Sequence, residues 1–367
     1  MMRTVLLGDI CDIKIGRTPP RKQPQWFSSS HGMKWVSIKD MGNTGKYISQ
    51  TSESLTMDAI SKFNIPIIPE GTLLMSFKLT VGRLGFTKYD MCSNEAIAQL
   101  PIKAPDIVDK NYLYYYLKNF NFDSLSSTSS IATAVNSKTV KNISVNLPPL
   151  DQQKKIANIL GSLDEKIELN RRMNETLEQL GQTLFRHHFV DNPESKNWKK
   201  RPLGEFFPVK TGKKDANFST KDGKFPFFTC AQTISRAPSY SFDGSAILVA
   251  GNGDFNIKYY TGKFEAYQRT YVLIPHNEEL LGFLYFLMKK DLSLITGGSR
   301  GSVIKFITKG MIENYRVELP DDNDLANFAP IFSELLDSIL HSNKQAQALI
   351  TLRDSLLPKL ISGEIEV

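Results

Sequence analysis

Residues 147–189 read LPPLDQQKKIANILGSLDEKIELNRRMNETLEQLGQTLFRHHF, and the organisation of the whole chain turns on what this stretch is. Taken from Ile156 in steps of four and three, it gives Ile156, Leu160, Leu163, Ile167, Asn170, Asn174, Leu177, Gly181 and Leu184, with Ile159, Met173 and Leu180 widening the stripe. One apolar side with charges elsewhere is the pattern of a long helix that needs a partner. Pro148 and Pro149 cannot lie inside a helix, and Asp151 is a good N-cap because its carboxylate can accept from the first free amides. At ~1.5 Å per residue, a helix from Asp151 to Phe189 spans roughly 58 Å, more than the width of a small domain.

The chain has 367 residues, enough for two or three domains with sizeable cores. Apolar residues make up 41% and charged residues 23%, an ordinary globular composition. Lys+Arg 45 against Asp+Glu 38 leaves a net charge of +7, a mild bias toward a polyanionic partner. Cys11, Cys92 and Cys230 stand far apart with no C-x-x-C pair, which reads as reduced thiols in a cytoplasmic protein. The N-terminus lacks the apolar run and cleavage site of a secretory signal, and no apolar stretch reaches ~18 residues, so no membrane span is expected.

The chain carries one plan twice. Leu7-Gly8-Asp9-Ile10 followed by Lys14-Ile15-Gly16-Arg17 recurs as Leu203-Gly204-Glu205-Phe206 followed by Lys210-Thr211-Gly212-Lys213. An aromatic run at 111–118 is answered at 283–289, and small-residue loops at 126–133 and 296–302 follow. Each half then has a strand ending in Leu147-Pro148 or Leu319-Pro320. Beyond it the helices align at a constant offset: Ala157 with Ala329, Leu163 with Leu335, Ile167 with Ile339, Leu177 with Leu349, Leu184 with Leu356. Apolar runs such as 72–76, 246–250 and 270–274 read as strands of mixed α/β domains. The polar, proline-bounded segment 191–202 reads as a linker.

The second helix, from about Asp324 to Ile361, carries Phe328, Phe332, Leu335, Ile339, Leu349 and Leu356. Two matching helices most economically bury their stripes against each other within one molecule, and the long segment between them lets the chain return antiparallel. The expectation is an α+β protein: two mixed α/β domains separated by two long helices in an antiparallel intramolecular coiled coil, with a pseudo-twofold internal repeat. Asn170 and Asn174 fall in the seam and align with Ser342 and Ala346; they either fix the register or turn to solvent where the helices diverge.

Catalytic constellations are missing. Gly212-Lys213 and Gly262-Lys263 lack the first glycine and the hydroxyl of a phosphate-binding loop, and Gly251-Asn-Gly253 reads as a tight loop rather than a dinucleotide fingerprint. The proline-rich motif with which amino-methyltransferases grip a flipped base is absent. His31, His187, His188, His276 and His341 have no metal-ligand spacing, while Asp164-Glu165-Lys166 and Asp222-Gly-Lys224 read as a solvated helix face and a turn. No cofactor or metal is expected in this chain, and the role expected is non-catalytic binding or assembly. Two other classes remain open, a stand-alone DNA-modifying enzyme with an unrecognised active site and a coiled-coil assembly scaffold.

Cations on glycine- or aromatic-rich loops recur in both halves. They are Arg17, Arg21, Lys22, Lys39, Lys78 and Arg83 in the first, and Lys210, Lys213, Lys214, Lys258, Arg269 and Arg300 in the second. Such cations neutralise phosphates, while glutamine can pair with a base edge, a role open to Gln99 and Gln268 beside strands.

Taken in order, LGDICDIKIGRTPP, Trp35-Val-Ser-Ile-Lys-Asp40, Leu147-Pro-Pro-Leu-Asp-Gln-Gln153, the helix through Leu163-Asp164 and the terminal Leu356-Leu357-Lys359-Leu-Ile-Ser-Gly-Glu364 resemble a type I restriction–modification specificity subunit. The resemblance covers essentially the whole chain. It implies a first target-recognition domain at 1–146, a first conserved helical region at 147–190, a linker and second target-recognition domain at 191–318, and a second helical region at 319–367. It further implies that each domain reads half of a split site in double-stranded DNA. Two methyltransferase subunits, and restriction subunits in the full complex, would be the partners; the charged flanks of 164–172 and the 147–153 lead-in, which the seam leaves outside, are the surface expected to receive the methyltransferase subunits. At the second helix, Leu319-Pro-Asp-Asp-Asn-Asp-Leu325 replaces the proline-proline and glutamine run.

Overall fold

The computed structural model describes residues 2–42, 45–125, 136–298 and 305–367. Two compact units emerge: Met1–Leu169 with Ala346–Val367, and Asn170–Gln345. Their division falls inside both long helices, Leu150–Phe185 and Asp322–Ser362, so each unit owns one globular body and part of each helix.

Within the first unit, Arg3–Leu6 pairs antiparallel with Ser144–Leu147, which closes the globular body just before the long helix starts. A five-stranded sheet runs in the order Lys14–Ile15, Ile97–Leu100, Leu73–Ser76, Leu84–Thr87, Tyr47–Ile48. The helix Lys110–Asn119 is capped by the Asp109 carboxylate, which accepts from the amides of Asn111 and Tyr112 at 2.9 Å. It packs Tyr112, Leu113 and Tyr115 against one face of the sheet. A smaller four-stranded sheet, Phe27–Ser28, Glu53–Leu55, Met33–Val36 and Cys92–Ser93, surrounds the buried Trp35.

The second unit repeats the plan. Lys199–Pro202 pairs with Arg316–Leu319 as the closing ladder. Its sheet runs Val209–Thr211, Thr270–Leu273, Phe242–Ala250, Ile257–Ala266, Phe225–Phe228, Ser235–Ala237, and the aromatic helix Leu281–Thr296 covers it. In both units the first strand pairs with the fourth main strand and a parallel partner joins the far side, so the duplication seen in the sequence is a duplication of topology.

The long helices run antiparallel within each unit. In the first, Ile156, Ala157 and Leu160 share a core with Leu357, Leu360 and Ile361. In the second, Leu177, Leu184 and Phe185 pack with Phe332, Leu336 and Ile339. The predicted seam needs corrections of about one position. Ile156, Leu160, Phe332 and Ile339 are buried, and Leu163, Ile167, Leu177 and Leu184 half-buried. Phe328, Leu335, Leu349 and Leu356 sit on the seam's shoulder, half-buried, while Leu325, Leu336, Leu357 and Leu360 fill it. Ile159, Met173 and Leu180 are exposed rather than widening the stripe, because a two-helix seam covers only a narrow strip. The helix begins at Leu150, placing Asp151 in its first turn rather than at the cap, and it relaxes into a wider π turn over Arg186–Val190.

The polar seam residues are paired across the seam, Asn170 and Ser342 buried and Asn174 half-buried. Asn170 donates to Gln345 Oε1 at 3.0 Å and accepts on its carbonyl from the buried Ser342 hydroxyl; Asn174 donates to Asn343 Oδ1 at 2.7 Å. In the first unit Asp164, 10% exposed, accepts from Arg353 Nη1 and from the Tyr115 hydroxyl, both at 2.7 Å. Burial and then the Asp164 charge hold the Tyr115 hydroxyl protonated, far above the ordinary phenol range. The second unit has its own version, with Glu178 accepting from Tyr285 at 3.1 Å and from Lys289. Each aromatic helix is thereby tied to a long helix by a tyrosine hydroxyl on a carboxylate.

Removing one partner of this buried pair strands the other charge. Arg353→Met is expected to destabilise the first unit by about 3 kcal/mol in urea unfolding, and adding Asp164→Leu is expected to recover most of the loss. A double variant no more stable than the single one would contradict the assigned pairing.

Candidate nucleic-acid interface

The two sheets end in equivalent edges. In the first unit the Gly16 amide donates to Ile97 O at 3.3 Å, Arg17 N to Ser93 O at 2.9 Å, and Phe77 N to Ala96 O at 3.0 Å. Three adjacent strands therefore stop together, and the loops carrying Arg17, Lys78 and Asn94-Glu95 leave from one edge. In the second unit Gly212 N donates to Thr270 O at 3.2 Å, Gly251 N to Arg269 O at 2.8 Å, and Gln268 N to Lys214 O at 2.9 Å. Lys213, Asn252 and the Gln268-Arg269 turn leave from that edge. The approach demands glycine at both sites: a Cβ on Gly16 would lie 2.1 Å from Ser93 O, and one on Gly212 1.9 Å from Ala266 O.

These ladders fix the register between the halves. Ser76 pairs with Ile97 and Ala250 with Thr270, while Ile15 pairs with Ala98 and Thr211 with Tyr271. Arg17 thus corresponds to Lys213, Glu95 to Gln268, Ala96 to Arg269, and Lys78 to Asn252.

The predicted site residues divide accordingly. Arg17 and Lys78 are exposed at the first edge, as are Lys213, Gln268 and Arg269 at the second. Arg17 also reaches Phe63 O at 3.2 Å, and Gln268 donates its amide to Asp215 Oδ1 at 2.5 Å. Lys214, half-buried, lies 4.5 Å from the Phe218 ring. Lys210 is exposed further down its strand, and Lys22 and Lys39 are exposed on neighbouring segments.

Four of the expected residues are buried or already engaged within their unit. Gln99 is 2% exposed, donates to Ser93 Oγ at 3.4 Å and corresponds to Val272 rather than Gln268, so it is an interior residue. Arg21 is occupied, with both carboxylate oxygens of Glu53 at 2.8 and 2.9 Å and the Phe27 ring at 4.4 Å. Arg83 is tethered to Ile38 O at 2.6 Å and serves the loop's base. Lys258 is half-buried and donates to Asn256 Oδ1 at 2.5 Å; burial holds its pKa below the ordinary lysine value. Arg300, with most of the loops at 126–133 and 296–302, lies outside the described residues.

The lead-in to the first helix also differs from expectation. Gln153 is fully buried, donates to Ile107 O at 2.9 Å and Pro148 O at 2.8 Å, and accepts from Asp109 N at 2.9 Å. It locks the turn and presents nothing to a partner. Leu147 is likewise buried, and Asp164 is engaged as described above.

Sequence reading missed Asn94-Glu95, Asn252 and Leu79 at these edges. Leu79 is almost fully exposed with a left-handed backbone, φ +61, a conformation costing a leucine about 1 kcal/mol or more. The register between the halves would have revealed all of them. Among the described residues no group of three His, Cys, Asp or Glu side chains is placed to hold a metal ion, and no helix is long and apolar enough to cross a membrane.

A family model described as "Type I restriction modification DNA specificity domain" matches residues 2–179 and 195–351. The type I restriction enzyme EcoDI specificity subunit of Escherichia coli is 41% identical over 177 residues, covering 46% of this chain and 39% of that protein. The MjaIX specificity subunit of Methanocaldococcus jannaschii is 24% identical over 98% of this chain and 93% of its own length. Among solved structures, the S subunit of a type I restriction–modification system from M. genitalium superposes with a TM-score of 0.61 at 18% identity, covering 98% of this chain and 96% of that one, a likeness of fold.

The thiols give a direct check on the second edge. Burial pushes Cys11 and Cys92 up to about 12, whereas Cys230 is half-exposed, its Sγ 3.3 Å from Arg269 O. An aromatic disulfide reagent at pH 8 is expected to modify Cys230 rapidly and the other two only on unfolding. Equal reactivity of all three would contradict this placement.

Proposed function

This chain belongs to the type I restriction modification DNA specificity domain family, matched in both halves, and on that premise we propose how it works. It is a DNA specificity subunit. Each globular unit reads one half of a bipartite DNA site through its sheet edge, and the two long helices hold the readers at a set separation. Lys and Arg at the edges neutralise backbone phosphates, while Gln268 and Arg269 are suited to base edges in the major groove.

The single observation that carries this reading is the equivalence of the two edges. Arg17 and Lys213 occupy the same position after the same close-packed glycine, and the loops beside them leave from the same three strands. A duplicated fold that places a cation at the same point twice fits two similar half-site readers better than one active site.

Methyl transfer and cleavage belong, in this reading, to partner subunits, two for methylation and further ones for restriction. Their docking surface, in this reading, is the apolar residues of the first long helix left exposed beside the seam, Ile159 and Leu169 in the first unit and Met173 and Leu180 in the second. This revises the surface expected from the sequence, since Gln153 and Asp164 are engaged internally. No cofactor is assigned to the chain itself.

Exchanging residues 1–146 for the corresponding domain of another specificity subunit is expected to change one half of the genomic methylation motif and leave the other intact. Single-molecule sequencing of methylated DNA from cells carrying each version reads the outcome. Movement of both halves, or of neither, would overturn the one-domain, one-half-site assignment.

A further inference from the structure

Leu79 sits where the fold asks for glycine. Its side chain is 96% exposed and its backbone is left-handed, φ +61. The hydrogen bonds that align Phe77 with Gly251 place it opposite Gly253, whose φ is +71. A Cβ on Gly253 would meet nothing within 4 Å, so that glycine serves backbone conformation alone. In the first unit the corresponding loop, one residue longer between Met75 and Leu84 than its counterpart between Val249 and Ile257, puts a branched residue in the left-handed conformation and gains no burial in return.

The loop that carries Leu79 is fastened at its base. The Ser76 hydroxyl donates to Thr80 O at 2.5 Å and accepts from Arg83 N at 3.0 Å, and Gly82 N donates to Ser76 O at 2.9 Å. Leu79 is therefore held outward at a fixed place, next to the exposed Lys78 and on the strand edge that also presents Arg17. A leucine has no donor or acceptor, and strain kept for an outward apolar group points to an apolar feature on the partner.

Resting on the DNA-reading function proposed above, we infer that Leu79 is a specificity-determining residue that packs its methyl groups against the 5-methyl group of a thymine in the half-site read by the first unit. Thymine is the base that offers an apolar group in the major groove. Lys78 and Arg17 on the same edge would hold the phosphates on either side while the leucine makes this contact.

The test uses the assembled methyltransferase complex carrying either the wild-type chain or Leu79→Gly. Its probes are duplexes of the host methylation motif in which each half-site thymine is replaced in turn by deoxyuridine, which lacks the methyl group. With the wild-type chain, one such replacement is expected to weaken binding about fourfold, the worth of one buried methyl. Leu79→Gly is expected to bind the unmodified duplex less tightly by a similar factor and to be indifferent to that replacement. Because glycine relieves the left-handed strain, the variant is expected to melt no lower than wild type, which separates lost contact from lost folding. A half-site without thymine, a series in which no deoxyuridine matters, or a glycine variant as sensitive as wild type would each overturn the inference. If the wild-type complex ignores the motif altogether, the proposed function fails and the inference with it; tight binding with no deoxyuridine effect sinks the inference alone.

Discussion

A long helix with one apolar stripe cannot bury that stripe by itself, and this requirement shapes the rest of the molecule. The first long helix, Leu150–Phe185, meets it by taking the second, Asp322–Ser362, as an antiparallel partner in each unit. The globular bodies then complete the burial. Tyr115 and Asp164 in one unit, and Tyr285 and Glu178 in the other, join the aromatic helix of the body to the seam. The cores of the bodies and the core of the helix pair are thus continuous within each unit, so a body cannot shift on its helices without exposing both.

At the other side of each body the constraint is backbone proximity. Gly16 and Gly212 lie against carbonyl oxygens where no side chain fits, and this draws three strand ends into one edge. Loops leaving that edge are free to vary in sequence without disturbing the sheet. The two edges illustrate it: Arg17 answers Lys213, but Glu95 answers Gln268 and Leu79 answers Gly253. A common scaffold with different edge chemistry is what two readers of different half-sites require.

Much of this was legible in the sequence, because helix periodicity and duplication are properties of patterns. The long helices, the closing strands before Leu147-Pro148 and Leu319-Pro320, and most of the seam follow from spacing alone. The slips were of one residue: Leu335 and Leu336, or Leu356 and Leu357, are adjacent apolar pairs, and spacing cannot choose which of two neighbours faces inward. The reading residues were less legible. Gln99 has the right chemistry but lies in a strand buried on both faces, and Arg21 has the right charge but is held by Glu53. Burial and pairing are settled by tertiary contacts. Glu95, Asn252 and Leu79 went unnoticed because only the hydrogen-bonded register between the halves places them at an edge.

Helix length tests most directly the proposal that the paired helices set the spacing between the two half-sites. Removing one heptad from each long helix at facing seam positions preserves the stripe. It shortens the pair by ~10 Å, or about three base pairs of DNA. Methylated-motif sequencing with this variant is predicted to return both half-sites unchanged around a shorter spacer. Recovery of the original spacer would contradict the account.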